Sequence, residues 1–283
     1  MKQYLFIVLA AVMLISCGES DLPESHEVVD TRVLAVKVDP CEAGPGDSVT
    51  MTLLVGGKHM DQASDLPVTW EVGEPEDAYY TRATVPYHDP FQLDLPLEVD
   101  GGKWPQEVVV KAAITMDNRF LSALKWFRIT GAPEAENPVI VGARAQYRLN
   151  GNLHATEIHA GDVVTVDENV TYIAFTAQTA ELGEHANDTL VYRWFITESS
   201  TNDHGLESDD DPSEIEKLLG RGEMAAPYRQ SVMISLYGED GDEKYQSGTY
   251  QIYLVVRDNA AATAQDMMDR YGTDYFFFSV KAM

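Results

Sequence analysis

Ser48-Val49-Thr50-Met51-Thr52-Leu53-Leu54-Val55 decides the fold class. Val49, Met51, Leu53 and Val55 fall on one side of an extended chain, and Ser48, Thr50 and Thr52 on the other. Side chains that change face at every residue are the signature of a half-buried β-strand. The rhythm recurs in both directions. Upstream, Arg32-Val33-Leu34-Ala35-Val36-Lys37-Val38 is strand-like, and Glu42-Ala43-Gly44-Pro45-Gly46-Asp47 supplies turn chemistry between the two runs. Downstream, Val68-Thr69-Trp70-Glu71-Val72 is a third strand. Residues 107–115 form a fourth, with Val108, Val110, Ala112 and Ile114 facing inward, and residues 124–130 a fifth.

Residues 131–138 then break the pattern with two prolines, two acids and no large apolar side chain, the composition of a linker. After them it restarts. Val139-Ile140-Val141 opens a strand, 171–178 alternates, and 189–197 places Leu190, Tyr192, Trp194 and Ile196 on one face. Residues 231–236, 248–257 and 275–280 complete the set. Ala160-Gly161-Asp162-Val163-Val164 echoes Pro45-Gly46-Asp47-Ser48-Val49, and Trp194 follows its Gly-Asp pair much as Trp70 follows the first. Helical patterning is confined to 211–220, with a capping Asp211 and terminal Gly220, and to 260–270. The reading is an all-β chain of two tandem β-sandwiches, 31–130 and 139–283, joined by the linker 131–138 and expected to fold separately.

The first residues have another job. Lys2 precedes a short apolar run over 4–16, too short for a membrane span of about 20 residues but suited to a secretion signal. That run ends in Leu14-Ile15-Ser16-Cys17-Gly18, which resembles the lipobox of bacterial lipoproteins. The resemblance implies that 1–16 is removed and that the Cys17 thiol carries diacylglycerol. The polar and acidic composition that follows makes 17–30 read as a flexible tether between lipid and fold. Gly18 rather than Asp after the cysteine implies, by the same resemblance, the outer rather than the inner membrane.

Composition restricts partners. The chain carries 46 acidic and 20 basic residues, a formal charge of −26. Cleavage would remove Lys2 and no acid. Nucleic acid would be repelled, so the expected partners are a membrane, reached through the lipid, and an unknown protein or glycan. Of the two cysteines, lipidation of Cys17 leaves only Cys41, so no internal disulfide is expected. Cys41 reads as a small apolar residue rather than a nucleophile.

Ser247-Gly248-Thr249-Tyr250-Gln251-Ile252-Tyr253-Leu254-Val255-Val256-Arg257-Asp258 resembles the late strand of PKD and other immunoglobulin-like domains. In that family a Gly-x-Tyr opens the strand and an Asp closes it. The resemblance implies a tyrosine corner at Tyr250 and a central-strand tryptophan at Trp194. It covers much of 138–283. The first unit has Trp70 but no Gly-x-Tyr before Val108, and neither unit has the inter-sheet cysteine pair of antibody domains. The whole layout resembles envelope lipoproteins with tandem immunoglobulin-like domains, which implies a non-enzymatic adhesion, scaffold or interaction module without a resident cofactor.

Catalytic motifs are missing: no Gly-x-Ser-x-Gly elbow, His-Glu-x-x-His, phosphate loop or dinucleotide fingerprint occurs. The seven histidines are scattered, and the odd spacing of His154 and His159 puts them on opposite faces of a strand. Two acidic segments, 202–211 and 239–243, could supply the roughly six to eight oxygen ligands that calcium takes. Their candidate ligands are Asp209, Asp210, Asp211, Asp240 and Asp242, although neither segment has EF-hand spacing. Trp70, Trp194, Tyr253 and residues 276–278 could stack on sugar rings; alternation puts Trp194 inside the core and leaves Tyr253 and Phe277 undecided, since one face of each strand must point outward. The alternative function is therefore carbohydrate or calcium binding.

Overall fold

The computed structural model describes residues 27–28, 31–57, 65–73, 81–97, 106–116, 118–133, 136–167, 169–170, 172–180, 190–197, 208–209, 230–235, 248–258 and 272–283. Among them every regular element is a strand. In chain order these are β1 (Glu27–Val28), β2 (Arg32–Asp39), β3 (Glu42–Ala43), β4 (Ser48–Gly56), β5 (Pro67–Gly73), β6 (Thr81–Pro86), β7 (Phe91–Asp94), β8 (Gln106–Met116) and β9 (Arg119–Ile129). Beyond the linker come β10 (Ile140–Leu149), β11 (Asn152–Ile158), β12 (Val163–Val166), β13 (Tyr172–Thr179), β14 (Leu190–Thr197), β15 (Ser208–Asp209), β16 (Ser231–Ser235), β17 (Gly248–Asp258) and β18 (Thr273–Ala282).

The strands make four sheets, two to each half. In the first half, β2-β4-β7 faces β3-β9-β8-β5-β6; in the second, β11-β10-β13-β16-β15 faces β1-β14-β17-β18-β12. The two halves share one wiring plan. Strands β5, β8 and β9 are antiparallel neighbours, flanked by β3 running parallel to β9. Strands β14, β17 and β18 repeat this, with β12 running parallel to β18. On the opposite sheets, β2-β4-β7 corresponds to β10-β13-β16. Two facing, largely antiparallel sheets with this crossed connectivity make each half an immunoglobulin-like β-sandwich. The all-β, two-sandwich fold class expected from the sequence is what the chain adopts.

Each sandwich closes on its own core. Val49, Met51, Leu53 and Val55 of β4 meet Val68, Trp70 and Val72 of β5 and Val108, Val110, Ala112 and Ile114 of β8. In the second, Ile173 and Phe175 of β13 meet Trp194 and the inward side of β17, which is Tyr250, Ile252, Leu254 and Val256. β8 and β17 are equivalent in the wiring, and each is eleven residues long. Val108 therefore stands where the second sandwich has Tyr250, and both are wholly buried. Trp70 and Trp194 likewise occupy equivalent strands.

The Gly-Asp echo has a different meaning from the one expected. The two turns are alike in detail: Gly46 and Gly161 both have φ of 80°. Asp47 Oδ2 accepts from Gly44 N at 2.7 Å, and Asp162 Oδ2 accepts from His159 N at 2.7 Å. They sit at different places in the plan, however. The first turn joins β3 to β4, whereas the second joins β11 to β12. The geometry is local, an Asp side chain capping the amide three residues before it with a left-handed glycine between, so it recurs without marking equivalent positions.

Other differences follow from exposure. Val139 and Val141 are exposed, and β10 begins at Ile140. β6, β7 and β11 were not anticipated. β11 is an edge strand with six of its seven residues exposed, so it lacks the buried face that gives a strand its period-two signal. Glu27–Val28, placed in the tether from sequence, pairs in parallel with Ile196 and Thr197 of β14. Both helical expectations, 211–220 and 260–270, lie outside the described residues.

Candidate functional site

The most elaborated site on the molecule is the junction where the outer face of β2-β4 meets the outer face of β14-β17-β18. A β-bulge shifts the β2–β4 register between Val33 and Ala35. Because of that extra residue, Val33 and Val36 pack on the first core while Leu34 and Ala35 both turn outward. Leu54, the apolar residue on the otherwise polar side of β4, joins them. Opposite stand Phe195 of β14, Tyr253 and Val255 of β17 and, partly buried, Tyr275 of β18. The Arg32 guanidinium lies over the Phe195 ring, 5.4 Å from its centroid. Gly56 leaves room for Leu34 and the Tyr253 ring, since a Cβ there would come within 2.5 Å of Leu34 Cδ1.

Polar bonds frame this patch. Lys37 Nζ donates to Asp274 Oδ1 at 2.9 Å, and the other Asp274 oxygen accepts from Ile140 N at 2.8 Å. Asn137, in the linker, donates through Nδ2 to Val38 O at 2.9 Å and to Asp39 Oδ1 at 3.1 Å, while its Oδ1 accepts from Thr273 N at 2.9 Å. Lys125 is the most unusual member. It occupies an inward position of β9 between Ala123 and Phe127, is 1% exposed, and donates from Nζ to Thr273 Oγ1 at 2.7 Å. A buried polar group needs such partners, because desolvation without them is costly.

Burial and neighbours shift the ionisation of groups here. Tyr87, whose hydroxyl accepts from Val55 N at 3.0 Å, is pushed up to about 12, chiefly by burial. Tyr253 is raised by burial and then by Tyr87. Tyr275 is raised by burial, which outweighs its hydrogen bond to Thr52 and the charge of Lys37. For Lys37, burial pulls downward, but the bond to Asp274 and the charges of Asp274 and Asp39 prevail, leaving it raised.

The residues singled out from sequence are distributed otherwise. Cys17, Asp210, Asp211, Asp240 and Asp242 lie outside the described residues. The backbone of Asp209 pairs with Met233 at the edge of the second sandwich. No cluster of three His, Cys, Asp or Glu side chains able to hold a metal occurs among the described residues. Cys41 is buried and forms no disulfide. His154 stacks on Tyr147 with centroids 5.4 Å apart, and His159 lies 3.5 Å from Asp162 in its turn, so the structure does not bring the two histidines together.

The proposed sugar platform is corrected. Trp70 stacks on Phe91 in the first core, and Trp194 packs near Phe175 in the second, as do Phe276 and Phe278. Tyr253, whose face the sequence left undecided, is covered by the first sandwich. Only Phe277, 42% exposed, remains on a surface.

No protein-family model matches the chain, and a search of curated proteins finds no match. Regions of several solved structures are similar to the chain. The three N-terminal domains of the bacteriophage RB49 highly immunogenic outer capsid protein are 9% identical, with 90% of this chain and all of that chain covered, at a TM-score of 0.24. The FN1–FN3 domains of chicken CNTN1 are 8% identical, covering 90% and 68%, also at 0.24. Human mucin-like protocadherin EC1-2 is 9% identical, covering 88% and 98%, at 0.24.

Sequence reasoning missed Lys125, Asn137, Thr273 and Asp274. A signal for the first was present: Ala123, Lys125, Phe127 and Ile129 share one face of an alternating strand, so a lysine stood in an apolar row. Asn137 carried no such signal, because its partners are 98 or more residues away.

Proposed function

We propose that this chain is a non-enzymatic, lipid-anchored lipoprotein of the bacterial cell envelope whose two sandwiches, within 31–130 and 139–283, act as an adhesion, scaffold or protein-interaction module. The observation that carries the reading is the use to which the molecule puts its large side chains. The tryptophans at 70 and 194 and, apart from Phe277, the aromatic residues of β17 and β18 serve cores and the junction, leaving loops and the sheet faces outside the junction as the surfaces that meet partners. The sequence Leu14-Ile15-Ser16-Cys17 supports anchoring through diacylglycerol on Cys17, and Gly18 supports the outer membrane. A strongly acidic surface favours protein or glycan partners over nucleic acid.

Anchoring is tested by Cys17→Ser, followed by membrane fractionation and intact mass. The wild type is expected to sediment with membranes at a mass increased by lipid, and the variant to be soluble and exported with an unchanged fold. A variant that still sediments, or a wild type with unmodified Cys17, overturns the reading. The calcium alternative, at Asp209, Asp210, Asp211, Asp240 and Asp242, has its own test. A ligand bound only by the folded state raises the melting temperature, so coincident melting curves with and without millimolar calcium remove it.

A further inference from the structure

We infer that the junction clamps the two sandwiches into one cooperative unit, with linker residue Asn137 as its clasp, so that they open and unfold together rather than as independent domains. The inference does not depend on what the module binds. Three independent features of the junction lead to it.

The apposed faces are apolar on both sides. Leu34, Ala35 and Leu54 would meet water if the sandwiches separated, and so would Phe195, Tyr253 and Val255, whereas the outer face of a free sandwich is ordinarily polar. Polar groups are also buried across the boundary with partners from the other side. Separation removes Thr273 Oγ1 from the buried Lys125 Nζ and takes Thr273 N from the buried Asn137 carbonyl. Each such group would need either full hydration or a new partner. Finally, the backbones interlock. A Cβ at Gly272 would come within 2.9 Å of both Asn137 Cα and Glu136 O, so the residue leading into β18 is seated directly against the linker.

The chain path adds a consequence. β1 precedes the first sandwich yet pairs with β14 of the second. A polypeptide arriving from the N-terminus therefore touches the second sandwich before it enters the first.

Hydrogen exchange on the full-length chain tests this. Amides of β8, deep in the first sandwich, and of β17, deep in the second, are expected to open with the same free energy, and denaturant to give one transition. Tyr253→Ala alters only the second sandwich in sequence. It should lower protection in β8 and β17 by the same factor, roughly tenfold or more. Gly272→Ala, which touches neither core, should do likewise. Two separate transitions, or a Tyr253→Ala chain whose β17 is weakened while β8 keeps its wild-type protection, overturns the inference. If Gly272→Ala fails to fold, the Tyr253→Ala comparison still decides it.

Discussion

Single residues show how far the cores depend on packing. Trp70 is buried against Phe91, and its Nε1 has no hydrogen-bond partner among the described residues. Trp70→Ala should cost about 3–5 kcal/mol in denaturant unfolding, the usual loss for a buried large aromatic. Trp70→Phe should cost clearly less, because it keeps a stacking ring and removes an unpartnered polar group. An equal loss for both would mean that the indole N–H matters more than the ring. Glycines at positive φ give a second comparison. Gly161 has open space where a Cβ would go, so Gly161→Ala carries only the left-handed backbone strain of roughly 1 kcal/mol. At Gly57 a Cβ would come within 2.5 Å of Thr31 Cα, a backbone atom that cannot swing aside. Gly57→Ala should therefore lower the unfolding midpoint well beyond Gly161→Ala.

At the scale of elements, alternation made the central strands legible. β4, β5, β8, β13, β14 and β17 each bury one face against a core, so their apolar residues repeat at period two and their positions follow from the chain alone. β6, β7 and β11 lie at sheet edges with little to bury, and their sequences carry correspondingly weak signals. β1 was invisible for the same reason, since two residues added to an edge leave no pattern. It has a consequence: β14 would become an open edge without it, and unpaired edges invite association between chains. A chain beginning at Thr31 should self-associate more readily than one beginning before Glu27, as read by light scattering at matched concentration. Equal monodispersity would argue that β14 is protected by other means.

For the whole molecule, ionisation at the junction sets a pH window. Tyr87, Tyr253, Tyr275 and Lys37 all have folded values raised above their ordinary ones, which are 10.0 for tyrosine and 10.5 for lysine. A raised value means that the folded state holds its proton more tightly than the unfolded state. The associated stability is complete below the ordinary value and is lost as pH rises through the folded one. These groups should therefore leave stability level from neutral pH to about 9 and erode it above roughly pH 10. Asp274 and Asp39 face Lys37, and Tyr275→Phe leaves both in place while removing one ionisation, so it should flatten part of the alkaline slope. An unfolding midpoint unchanged to pH 11.5 would contradict the assignment.

The sequence by itself determined the class of fold, the number of sandwiches and the occupants of their cores, because a strand with one face in a core must write that face into every second residue. It also held the Leu14-Ile15-Ser16-Cys17 run on which the anchoring proposal rests. Only the tertiary structure decided that the outer face of β2-β4 packs on that of β14-β17-β18, that a bulge turns both Leu34 and Ala35 outward, and that Lys125 and Asn137 reach partners in the other half. Those relations join residues on different strands, up to 148 positions apart for Lys125 and Thr273, and no local periodicity records them. A lone Leu54 on a polar face or a lysine in an apolar row becomes interpretable only when the second surface lies against it.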